Sequence, residues 1–209
     1  MNEIADDRAT RITRRRYDRL SNVYNLMEWM PERRAFREWR QRLWSMVPGP
    51  RVLEVGVGTG KNIPYYPPGA EVTAIDFSPG MLRRARALAA RLGSPVDLRE
   101  MDVQALEFAD ASFDTVVTTF VFCSVPDPVR GLREIRRVLA PGGRVIMLEH
   151  VLSGRPVVRA LMRILNPAIR PFMGANIDRE TRRNLEAAGF TVEREEDLWL
   201  DIVKLFEAR

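Results

Sequence analysis

The chain has a single cysteine, Cys123, so no intramolecular disulfide can brace it and no thiolate cluster can hold a metal. It also has a single histidine, His150, which leaves one imidazole for proton chemistry. No apolar run approaches the ~20 residues that span a bilayer. The segment from Met1 to Arg16 carries acids and arginines where a signal peptide would have an apolar stretch. Secretion and membrane crossing are therefore not expected, and a reducing cytoplasm is. Lysine is nearly missing: 31 of the 33 basic residues are arginine. Internal repeats and low-complexity tracts are absent. A composition of 45% hydrophobic and 29% charged residues excludes disordered, collagen-like and coiled-coil classes.

What is present suits one α/β domain: 209 residues bury a sizeable core but are short for two such domains. Strand-like and helix-like runs alternate after residue 48, which predicts a doubly wound, mostly parallel sheet. Strands are expected at 51–55, 71–75, 96–101, 113–120 and 144–148. Ser78-Pro79 and Asp127-Pro128 each read as an N-cap followed by the first helical residue, and Gly93 ends the first of these helices. The stretch 155–173 is amphipathic and studded with arginine, with breaks expected at Pro167 and Pro171. Asp178 is expected to cap a helix ending at Gly189. The runs 190–195 and 201–207, with only a short connection, predict an antiparallel hairpin on the sheet edge.

The first strand runs into Glu54-Val-Gly56-Val-Gly58-Thr-Gly60-Lys61. In such sheets this turn is where a ligand approaches the backbone, and glycine stands wherever a Cβ would collide. A dinucleotide turn reads G-x-G-x-x-G, whereas here the third glycine comes one residue early and Lys61 follows. The pattern suits S-adenosylmethionine, which has a zwitterionic amino-acid end in place of a pyrophosphate. Glu54 is placed for the ligand's ammonium. Asp76, ending the second strand, is placed for the ribose hydroxyls. Asp102 and Val103, following the third strand, are placed for the adenine.

These residues resemble the class I S-adenosylmethionine-dependent methyltransferases over roughly residues 50–209. VLEVGVGTG, AIDFSPGML, MDVQALEF, SFDTVV and RVLAPGGRVIMLEH look like successive motifs of the quinone-biosynthesis and phospholipid-methylating branch. The resemblance implies a seven-stranded sheet and cofactor contacts from Gly56, Asp76, Phe77, Met81, Asp102, Val103 and the Thr118-Thr119 strand end. Tyr17-Asp18 and Tyr24-Asn25 are similar to the paired elements with which that branch closes over the cofactor. FCSVPDP, LEHV and GANIDRET with LEAAGF resemble both bacterial phosphatidylethanolamine N-methyltransferases and the membrane-associated thiol S-methyltransferases of animals. The expected layout is a basic helical lid or membrane-facing segment at 1–48 and a methyltransferase domain at 49–209.

Methyl transfer from a sulfonium is an in-line displacement, and it needs a base only when the acceptor arrives protonated. His150, at the end of the fifth strand, is the preferred base. It also fits a histidine that merely bonds a loop, and Glu149 is the alternative. Tyr17 and Tyr24 are placed to cap the methyl group or, equally, to pack a lid helix. Arginines number 11 between Arg8 and Arg42 against four acids, and four between His150 and Ile177 against none. Such stretches fit an anionic membrane surface and also a solvated helix face. The leading expectation is an acceptor that is hydrophobic or membrane-associated, first a phosphatidylethanolamine amine, then a small thiol or a quinone ring. The cofactor would leave as S-adenosylhomocysteine, with no metal. An RNA methyltransferase is disfavoured by the lack of an appended RNA-binding module or stacking motif, and a non-catalytic cofactor-binding protein by an intact glycine turn.

Overall fold

The computed structural model describes residues 11, 13, 14, 35–173 and 176–209. Its strands are β1 (Arg51–Val55), β2 (Glu71–Asp76), β3 (Asp97–Glu100), β4 (Phe113–Thr119), β5 (Leu139–His150), β6 (Val192–Trp199) and β7 (Val203–Ala208). They form one seven-stranded sheet in the order β3-β2-β1-β4-β5-β7-β6. The first five run parallel, and β7 is antiparallel to both β5 and β6. This is the doubly wound sheet with a C-terminal antiparallel hairpin that the residue pattern predicts.

Helices cover both faces, which is why β4, rich in β-branched residues, is buried along nearly its whole length. On one face, Leu132, Ile135 and Val138 of α3 (Pro128–Val138) and Leu185 of α5 (Thr181–Ala187) pack against Leu53, Val116 and Met147. On the other, Leu43 and Trp44 of α1 (Arg37–Ser45) meet Val52, Val117, Ile146 and Leu148. The part of 1–48 that is described is thus packed on the sheet through α1. Ser78 Oγ accepts the Met81 amide at 3.2 Å to start α2 (Pro79–Leu92), and Asp127 accepts the Arg130 amide at 2.9 Å to start α3. Both caps stand where the sequence places them.

Two expectations fail. α4 (Pro156–Met173) runs unbroken through Pro167 and Pro171. Each proline withdraws one amide bond from the helix, and Pro167 and Arg163, whose carbonyl loses its partner, are both exposed to water. α5 begins at Thr181 instead of after Asp178, because the preceding residues are pinned elsewhere: the Asn176 amide donates to Cys123 O at 2.8 Å and the Ile177 amide to Asn166 Oδ1 at 3.0 Å. No helix among the described residues is long and apolar enough to cross a membrane.

Strand order reverses between β1 and β4, so a crevice opens beyond the carboxyl ends of these two strands.

Candidate active site

The glycine turn leaves β1 and bends back over the end of β2. Gly56 N and Val57 N both donate to Ile75 O, at 2.8 and 3.0 Å. Gly56 has φ +71°, and a Cβ built there would lie 2.4 Å from Val121 Cγ2, so the turn requires glycine for shape and for closeness. Gly58 differs: its φ is +57°, yet a Cβ would meet nothing within 4 Å. Gly60 packs between Ile63 and Ala85 of α2, away from the open space.

Two cavities meet at this turn, sharing Gly56, Gly58, Thr119 and Phe120 as walls. The larger, ≈ 720 Å³, is lined by Asp76, Phe77, Met81, Asp102 and Val103 with neighbouring apolar side chains. Asp76 Oδ2 accepts the Gly58 amide and Oδ1 the Ser78 amide, both at 2.9 Å, which locks the turn to the start of α2. Asp102 Oδ1 accepts the Gln104 amide at 2.9 Å. The smaller cavity, ≈ 350 Å³, is lined by Arg40, Thr59, Lys61 and Asn62. Between the two cavities Phe120 takes a left-handed backbone with φ +56°, a conformation that bulky residues adopt mainly at functional sites.

Glu54 lines neither cavity. Its carboxylate is buried, accepting from Asn62 Nδ2 at 2.6 Å and from the Tyr66 hydroxyl. Asn62 in turn donates to Thr119 Oγ1 at 3.0 Å and accepts from Arg40 at 2.9 Å. Burial lifts the Glu54 pKa to about 7 against these hydrogen bonds. The chain Arg40-Asn62-Glu54 therefore ties α1 to the floor of the smaller cavity. Arg40, Asn62 and Tyr66 escape a linear reading because the first is one of 31 arginines and the other two gain meaning only through contacts across the fold.

At the ends of β4 and β5, adjacent residues face opposite ways. Glu149 is buried and accepts from Thr118 Oγ1 at 2.9 Å and from the amides of Val121 and Phe122 at 3.1 and 3.2 Å. It shapes the loop after β4 that walls the larger cavity. Asn176 and Arg179 brace the same loop through the carbonyls of Cys123 and Val125. His150 shares the Thr119 face, is half-buried and lines neither cavity. Its Nδ1 has no hydrogen-bond partner, and burial lowers its pKa, keeping it neutral. Tyr17 and Tyr24 lie outside the described residues.

Burial likewise lifts the Glu149 pKa to about 7, outweighing its hydrogen bonds. A carboxyl raised in the folded state contributes its stability fully below the unfolded value of ~4.5 and loses it as pH climbs to ~7. Wild-type stability relative to Glu149→Gln is expected to fall by up to ~3 kcal/mol across that window and stay level above it. Urea titrations at several pH values test this, and a pH-independent gap would mean an ordinary carboxylate there.

The family model described as "Methyltransferase domain" matches residues 53–147, which run from within β1 to within β5. The chain is 44% identical over 119 residues to a phosphatidylethanolamine N-methyltransferase of Cereibacter sphaeroides, covering 56% of this chain and 59% of that one. It is 33% identical over 167 residues to a demethylmenaquinone methyltransferase of Thermus thermophilus, covering 77% and 76%. The chain belongs to the class I S-adenosylmethionine-dependent methyltransferases. A thiol S-methyltransferase of Rattus norvegicus is a further relative of this chain, 36% identical over 145 residues and matched over 67% of this chain and 59% of its own length. The chain thus spans only 59% of the length of the phosphatidylethanolamine and thiol methyltransferases. The crystal structure of the [4+2]-cyclase SpnF superposes with a TM-score of 0.75 at 18% identity over 96% of both chains, which speaks for the fold alone.

The family's cofactor is S-adenosylmethionine, and the residues present suit it. Gly58 leaves open space where the cavities meet, carboxylates and apolar side chains line one, and two cations line the other. Among the described residues no group of histidine, cysteine or carboxylate side chains is placed to hold a metal.

Proposed function

We propose that the methyltransferase acts on a membrane-resident or hydrophobic acceptor, first the amine of phosphatidylethanolamine. The observation that carries this reading is the 44% identity over 119 residues to a phosphatidylethanolamine N-methyltransferase. The arginine-rich flanks add attraction to an anionic lipid surface. The thiol and quinone relatives support the second reading, a small thiol or a quinone ring as acceptor.

Bound S-adenosylmethionine supplies an electrophilic methyl carbon on a sulfonium sulfur. In this reading Asp76 accepts from the ribose hydroxyls, and Asp102 and Val103 meet the adenine beside Phe77, Met81 and Thr119. Gly56 and Gly58 let the chain pass close to the ligand, while Gly60, packed on Ile63 and α2, only closes the turn. Arg40 and Lys61 face its carboxylate, and Glu54 acts on that end through Asn62. That methyl group would pass to the lone pair of a deprotonated acceptor nitrogen, and the cofactor would leave as S-adenosylhomocysteine. Neutral His150 would take the proton of the acceptor's ammonium group beforehand, freeing that lone pair. Tyr17 and Tyr24 cap the methyl group from the N-terminal segment.

Incubation with methyl-labelled cofactor and a panel of phosphatidylethanolamine, thiols and quinones, followed by mass identification, tests the acceptor. An N-methylated phospholipid is expected, whereas methylation of a thiol or quinone with the lipid untouched overturns the reading. His150→Ala is expected to lower turnover at pH 7 by about 100-fold with cofactor affinity unchanged. Full turnover in that variant would remove the base.

A further inference from the structure

α4 turns its apolar side outward. Among the described side chains of this helix, those of residues 156–168, the buried ones are Met162 and Asn166, one turn apart. On the opposite side Val157, Leu161 and Ile164, at spacings of four and three, are 82%, 54% and 73% exposed. Val158 and Leu165 widen the stripe. A helix packed on a water-soluble domain shows the reverse orientation. A second apolar pair, Trp199 and Leu200, stands 54% and 56% exposed at the β6–β7 turn, where Leu200 has φ +49°. Together these are seven of the eight exposed large apolar side chains among the described residues, so the apolar surface is concentrated on one ridge.

Asp201 joins the two parts. Its carboxylate accepts from Ser153 Oγ at 2.8 Å and from the Gly154 amide at 2.7 Å, and the Val151 amide donates to Ile202 O at 2.9 Å. These bonds hold the hairpin turn against the segment that leads into α4. β7 sets Val203 opposite His150, so the turn lies at the carboxyl edge of the parallel strands, where the cofactor cavities open. Charge flanks the ridge: Arg155 and Arg163 are exposed, and Arg159 is half-buried. Among the described residues Glu180 lies 4.0 Å from Arg159 and 3.9 Å from Arg163, and the Asp201 carboxylate accepts from the Arg155 backbone amide.

We infer that this ridge seats the enzyme on an anionic bilayer, with Trp199, Leu200 and the outer stripe of α4 in the apolar boundary and Arg155 and Arg163 on lipid phosphates. The inference deepens the membrane-resident acceptor reading and rests on it for its purpose. Apolar side chains flanked by arginine, with a tryptophan at the tip, match the interfacial layer of a membrane. A second copy is a poorer occupant, because a two-fold contact along α4 would bring arginine against arginine.

Vesicle flotation tests the surface with no amine acceptor and no cofactor present. Vesicles of phosphatidylglycerol in phosphatidylcholine are expected to hold the protein about tenfold more tightly than phosphatidylcholine alone, with the difference shrinking as salt rises. Ile164→Glu and the pair Trp199→Ala with Leu200→Ser are each expected to weaken that binding by about tenfold or more. Calorimetry with S-adenosylmethionine reports whether the variants keep their fold. Equal flotation on both vesicle types overturns the inference, as do folded variants that float like wild type. So does a dimer split by Ile164→Glu in a protein that ignores vesicles. Methylation of detergent-dispersed lipid and of soluble thiol is read separately. A protein that floats but methylates only the thiol keeps the docking surface and loses the lipid-amine reading.

Discussion

Asp76→Ala is expected to raise the dissociation constant for S-adenosylmethionine by at least about 100-fold. The carboxylate does two things at once. It accepts the Gly58 and Ser78 amides, each at 2.9 Å, and it lines the larger cavity at the end of β2. Alanine leaves both amides without their acceptor and frees the glycine turn from the start of α2. It also deletes the proposed partner of the ribose. Charge-assisted hydrogen bonds contribute roughly 1.5–3 kcal/mol each, so losing two or more accounts for the expected factor. Asp76→Asn keeps the shape but turns an amide nitrogen toward an amide donor, and it too should bind poorly. Titration calorimetry decides the matter: wild-type affinity in Asp76→Ala would take this residue out of the site.

Gly56→Ala and Gly58→Ala should fail for different reasons. At Gly56 the new Cβ would lie 2.4 Å from Val121 Cγ2 on a backbone with φ +71°, so conformational strain adds to steric overlap. A loss of about 3 kcal/mol in stability is expected, read by chemical denaturation. At Gly58 the protein leaves room for a Cβ, and only the left-handed backbone penalises alanine, by about 1 kcal/mol. That room is where both cavities meet. Gly58→Ala is therefore expected to fold nearly as well as wild type and to bind S-adenosylmethionine at least about tenfold more weakly. A Gly58→Ala protein of full affinity would show that the ligand does not pass this residue. A Gly56→Ala protein of full stability would show that Val121 yields without cost.

The features legible along the chain are those whose cause is local. The Ser78 and Asp127 caps form from hydrogen bonds spanning three residues, and both stand where the residue pattern puts them. The run Phe113 to Phe120 reads as a doubly covered strand because it is rich in β-branched residues, and the strand observed at Phe113–Thr119 is buried along nearly its whole length. Asp76 and Asp102 could be placed because strand ends follow from strand starts. Local signals misled where distant groups intervened. Asp178 looks like a cap, but Asn176 and Ile177 are drawn to Cys123 and Asn166, and the helix waits for Thr181. Glu54 looks like a ligand-facing acid, but Asn62 and Tyr66 occupy its carboxylate.

The sequence by itself determined the order of strands and helices, the glycine turn and the acids at the strand ends, and through them the cofactor class. Periodicity and spacing act within a few residues, so they survive without a third dimension. It also determined that 155–173 is amphipathic, with an apolar stripe among its arginines. Only the tertiary structure decided which way that stripe faces, because orientation depends on what α4 packs against, and Met162 and Asn166 took the inward side. The same holds for Arg40, 22 residues from Asn62, and for Asp201, 47 residues from Gly154. Contacts across such separations are set by how the sheet closes its helices around the site, which no short window of residues encodes.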